Sequence, residues 1–79
     1  MMEDYEYFKK GYDRIWQNFK FSFKVYRLNV IYQRRLCVEM LEELDKLHKD
    51  YLRFYGVSTF GLYRYYSGMV EKNYEQIKG

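Results

Sequence analysis

Apolar residues recur along this chain at steps of three and four, the spacing that lines one face of a helix. Tyr5, Phe8, Tyr12, Ile15, Phe19 and Tyr26 follow that rhythm from a start near Glu3, with Ser22 filling one apolar slot. From about Asn29 to Tyr55 the pattern is broader. Cys37, Met40, Leu41, Leu44, Leu47, His48, Tyr51, Leu52 and Tyr55 share one face, while Glu39, Glu42, Glu43, Lys46, Lys49, Asp50 and Arg53 occupy the other. A third stripe, Leu62, Tyr66, Met69, Val70 and Ile77, predicts a last helix ending near Ile77. The chain therefore reads as all-α and as a single helical domain over residues 1–79. Its architecture is a small three-helix bundle or a helical hairpin with an N-terminal helical arm.

One segment speaks two languages. In FKFSFKVY, residues 19 to 26, apolar and polar residues alternate strictly, as they do in a strand. A lone strand needs a partner, and no second segment alternates comparably, so a strand here would have to pair with a second chain. Helix is the preferred reading.

Breaks are scarce. Proline is absent and glycine stands only at 11, 56, 61, 68 and 79, which favours a few long helices. Gly56 supplies the left-handed residue that ends a helix, Val57 can fold back on the last turn, and Ser58 or Thr59 can cap the next helix. Gly61 and Gly68 would admit a neighbouring helix at close range, and Gly11 weakens its helix slightly. Glu3, Asp4 and Glu6 suit the first turn of the first helix, at the positive end of its dipole.

With 79 residues the core is thin, and the lone Cys37 supplies no internal disulfide. Self-association as a homodimer would add burial. MMEDYEY opens with acidic residues where a signal peptide needs basic ones, so a cytoplasmic protein is expected. No membrane partner is expected either. The longest uncharged stretch, Phe54 to Tyr63, falls short of the roughly 18 residues that span a bilayer.

Catalytic chemistry finds little to work with. Cys37 and His48, the soft metal ligands, stand about 16 Å apart along one helix, too far to share an ion. The single histidine lies on an apolar stripe, where packing is its expected role, and no glycine-rich phosphate loop occurs. Glu42, Glu43 and Asp45 read as a solvated face. No enzyme, metal or cofactor is expected.

Charge is unevenly spread. No acidic residue occurs between Asp13 and Glu39, where Arg14, Lys20, Lys24, Arg27, Arg34 and Arg35 give a charge of +6, whereas residues 39 to 50 carry −3. Trp16, Phe19, Phe21, Phe23, Tyr26 and Tyr32 interleave with those cations. That combination suits nucleic acid, cations meeting phosphates and rings stacking on bases. The alternative is that the basic stretch faces the acidic one, within a chain or across a dimer.

DYLRFYGVSTFGLYRYY, residues 50 to 66, resembles the helix-turn-helix DNA-binding motif, in which a Gly-Val-Ser turn precedes a reading helix. The resemblance implies that Gly56 is the turn, that Val57 and Leu62 are buried supports and that Tyr65 packs inward. It further implies that Ser58, Thr59, Phe60, Tyr63 and Arg64 project towards the major groove. Such a motif has a first helix of about two turns, with a break near Asp50, and a small residue where Leu52 stands. The implied partner is DNA, and the protein a DNA-binding regulator.

Eighteen of the 79 residues are aromatic, 11 of them tyrosine. Some must reach the surface, with Tyr7, Tyr32, Tyr63, Tyr65 and Tyr74 the candidates. They suggest a second functional class, a tyrosine-rich protein-binding module acting as an inhibitor, an adaptor or a self-assembling subunit on a larger protein partner.

Overall fold

The computed structural model describes the backbone of residues 2–77 and the side chains of residues 5–77. The expected positions of the Glu3 and Asp4 side chains lie outside the described residues. Three helices, α1 (Met2–Val25), α2 (Val30–Tyr55) and α3 (Phe60–Glu75), pack against one another, each touching both others. Of the two architectures expected, the three-helix bundle is the one formed. Among the described residues there is no strand, and no helix is long and apolar enough to cross a membrane.

The alternating segment lies within α1, which runs to Val25. Helical geometry turns its alternation into two faces. Phe19 and Phe23, four apart, go to the interior, while Phe21 and Val25, also four apart, go to solvent with 71 and 58% of their surface exposed. Tyr26, expected on the first helix, lies beyond its end in a turn. There Tyr26 N–H donates to the Ser22 carbonyl at 3.0 Å and Asn29 N–H to that of Tyr26 at 2.9 Å. Neither glycine nor proline marks this corner. Asn29 makes it by capping α2, its side-chain oxygen accepting from Tyr32 N–H at 3.0 Å.

At the other end Gly56 takes the left-handed conformation, φ 64°, and its N–H donates to the Leu52 carbonyl at 3.0 Å. Thr59 occupies the capping position of α3 but makes no side-chain cap. Its hydroxyl is already engaged with the Tyr12 hydroxyl in the interior.

The core is a column of rings and aliphatics, with Phe8, Tyr12 and Phe19 from α1, Leu36, Cys37, Leu44 and Tyr51 from α2, and Tyr66 and Val70 from α3. Tyr12 stacks on Tyr66 at 5.8 Å and 11°, and Tyr51 meets Phe8 edge to face at 4.6 Å. Gly11 has a structural reason that its helix propensity hides. A Cβ there would run into the Tyr51 hydroxyl, so the glycine lets α2 bring the tip of its buried tyrosine against the α1 backbone. Gly61 and Gly68, expected at helix contacts, have open space at their Cβ positions. Tyr5, Leu52 and Tyr55, expected inward, are 54, 51 and 54% exposed.

The whole is a rod of 43 × 17 × 16 Å. A helix of 16 residues is about 24 Å long, so α3 cannot lie across a 17 Å width and runs alongside α2.

Candidate nucleic-acid interface

The basic stretch gathers at the end of the rod where α1 stops and α2 begins. Lys20, Lys24 and Arg27 are exposed there and line an open groove of about 550 Å³ together with Phe21, half-buried Phe23, Gln33 and Asn73. Three cations and no carboxylate line it. Local structure fixes the arrangement. Phe19 packs against Trp16 at 5.5 Å and Phe23 at 5.3 Å, which roots this part of α1, and Lys20 reaches back over the Trp16 ring at 5.7 Å. Gln33, buried on α2, donates from Nε2 to the Phe23 carbonyl at 3.0 Å and so satisfies one of the free carbonyls at the end of α1. Tyr26 and Tyr32 pack on each other at 4.2 Å beside it.

The other cations differ in place. Arg35 is exposed and pairs with Glu39 at 3.4 Å, and Arg34 is half-buried. Arg14 is exposed farther back on α1, near enough to Tyr51 to act on its hydroxyl. Two ion pairs join described residues, Arg35 with Glu39 and Lys49 with Asp45 at 2.8 Å, both between successive turns of α2. Neither couples Lys20, Lys24 or Arg27 to the acidic face at residues 39–50.

The residues expected to read DNA from the turn sit at the opposite end of the rod. Ser58 and Arg64 are exposed, with the Arg64 guanidinium over the Phe60 ring at 5.9 Å. Tyr63 is half-buried and stacks on His48 at 5.1 Å and 21°. Thr59 requires a correction. It does not project outward but is 6% exposed, held by the Tyr12 hydroxyl and 3.4 Å from His48 Nδ1. A buried phenol needs a partner, and the residue opening α3 is the one within reach. Tyr65, which the helix-turn-helix resemblance turned inward and the tyrosine-rich reading placed at the surface, is 62% exposed, and Val57, implied as a buried support, is 39% exposed. α2 continues unbroken through Asp50, and α3 runs beside it, whereas the helices of a helix-turn-helix meet at about 90–120°.

Titratable groups of the interior are held neutral. Burial pushes the Cys37 thiol and the Tyr12 and Tyr51 hydroxyls up. Tyr66, which donates to Asp13 Oδ1 at 3.3 Å, is pushed up to about 12 by burial and then by the Asp13 charge. Cys37 is fully buried as a thiol and is therefore no nucleophile.

Sequence reasoning missed Gln33 and Asn73. Gln33 did leave a signal, since an amide on the inward side of Leu36 and Cys37 must find a partner. Asn73 left none, because its place in the groove depends on where α3 ends against α1.

No protein-family model matches this chain, and no curated protein and no solved structure matches it significantly.

Proposed function

We propose that this is a non-enzymatic nucleic-acid-binding protein that holds the strand at the α1–α2 end of the rod. One observation carries the reading: Lys20, Lys24 and Arg27 converge on a groove without carboxylates, beside the 71% exposed ring of Phe21. Phosphates would meet the three cations, and a base would stack on Phe21. The unbroken α2 and the alignment of α3 favour this end over a reading helix at residues 60–66.

Salt titration with a labelled single-stranded oligonucleotide, with duplex in parallel, tests it. Three phosphate contacts give a slope of log K against log salt of about −2 for a single strand. Replacing Lys24 and Arg27 by Ala should flatten it to about −0.7. Phe21→Ala should weaken binding roughly tenfold, a stacked base contributing about 1–3 kcal/mol. Binding that ignores salt and these substitutions, or that is lost in Arg64→Ala alone, would overturn the assignment to this end.

A second reading, as a protein-binding module, draws on the other end of the rod. There Phe54, Tyr55, Phe60 and Tyr65 are 69, 54, 56 and 62% exposed, and Tyr55 shares a hydroxyl hydrogen bond of 2.9 Å with Tyr7. Rigid amphipathic rings of this kind are typical protein contacts. It requires that Phe54→Ala and Tyr65→Ala release a partner protein while oligonucleotide binding is retained.

A further inference from the structure

The corner between α1 and α2 carries more than charge. Phe21, Val25, Leu28 and Ile31 are 71, 58, 90 and 79% exposed, with Lys24 and Arg27 among them. Scattered apolar side chains on a surface are ordinary, but four large ones within one corner mark a contact surface. Nucleic acid accounts for the ring and the cations and leaves Val25, Leu28 and Ile31 without a role.

The same chain presents a complementary site. Between α2 and α3 lies a groove of about 250 Å³ lined by Val38, Leu41 and Tyr74 together with the carboxylates Glu71 and Glu75. Neither carboxylate takes part in the ion pairs that join described residues. Ridge and groove do not cover each other within the chain, since Leu28 is 90% and Val38 50% exposed.

We infer that a second copy of this chain docks its Phe21–Ile31 ridge into the Val38–Tyr74 groove, with Lys24 and Arg27 opposite Glu71 and Glu75. Ridge against ridge is disfavoured, because it would face Lys24 and Arg27 with their own copies. Two such contacts related by a twofold axis close a dimer, and without that axis the contact propagates.

Sedimentation equilibrium of the full chain, free of nucleic acid, tests the inference. The wild type should associate with rising concentration and dissociate at high salt. Leu28→Asp and Val38→Asp, both at exposed positions, should each give a monomer of unchanged helical content. The doubly reversed variants Lys24→Glu with Arg27→Glu, and Glu71→Lys with Glu75→Lys, should each be monomeric alone and should associate when mixed in equal amounts. A wild type that stays monomeric at millimolar concentration overturns the inference. So does association indifferent to Leu28→Asp and Val38→Asp, or a mixture of the reversed variants that remains monomeric. Failure here leaves the nucleic-acid reading intact: the two surfaces share Phe21, Lys24 and Arg27, but oligonucleotide binding by a single chain needs none of Val38, Glu71 and Glu75, so Val38→Asp separates the two.

Discussion

Thr59 shows how one hydroxyl can serve packing instead of recognition. In the linear sequence it is the residue before a helix, where a hydroxyl either caps the backbone or meets a ligand. In the fold it answers the buried Tyr12 hydroxyl and sits beside His48, and α3 begins without a side-chain cap. Thr59→Val should therefore cost about 1–3 kcal/mol, the penalty for leaving a buried phenol unsatisfied, whereas Thr59→Ser should cost much less. Urea unfolding measures both, and equal losses would refute the role. Tyr66 adds a pH dependence. Its folded value of about 12 lies above the ordinary 10, so the unfolded chain releases a proton that the folded chain keeps. Its contribution is fully present below about pH 10 and is lost as the pH rises towards 12, on the order of 2 kcal/mol in all. Tyr66→Phe should shallow the fall in urea midpoint between about pH 10 and pH 12. An unchanged fall would assign it to Tyr12 and Tyr51, which burial also raises.

At the scale of elements, the glycines separate into those the backbone needs and those it does not. Gly56 is left-handed, and Gly56→Ala should cost about 1–2 kcal/mol. Gly68 lies inside α3 with open space at its Cβ, so Gly68→Ala should gain about 0.5–1 kcal/mol of thermal stability. The opposite ordering of melting temperatures would contradict both assignments. The three helices, the Gly56 stop and most of the inward stripe were legible because a period of 3.6 residues and a left-handed glycine are local properties. The corner at residues 26–29 was harder to read, since it rests on an asparagine cap and on Gln33 reaching the Phe23 carbonyl, a contact between two helices. The packing role of Gly11 was not legible for the same reason, since it rests on the Tyr51 side chain of another helix.

On the scale of the molecule, the rod divides the sequence's candidate contacts between its two ends. Lys20, Lys24 and Arg27 share one end, and Ser58 and Arg64 the other, with 43 Å between the extremes. A single ligand surface combining them was never available to a chain whose helices all lie along one axis. Lys24 and Arg27 are claimed both by nucleic acid and by the second copy. The two should therefore compete: adding oligonucleotide should shift the sedimentation profile towards one chain per complex. Association strengthened by oligonucleotide would mean that the two surfaces are separate.

Periodicity, the absence of proline, one left-handed glycine and a long run without acidic residues were enough, by themselves, to determine three helices and the existence of a basic, ring-rich segment, because each of these is a property of neighbouring residues. Which rings face inward near the ends, that Thr59 belongs to the core, that Phe21 and Leu28 face solvent, and that three cations share one groove were decided by the tertiary structure alone. Those depend on where helices end against one another, and no residue carries that information in its own neighbourhood.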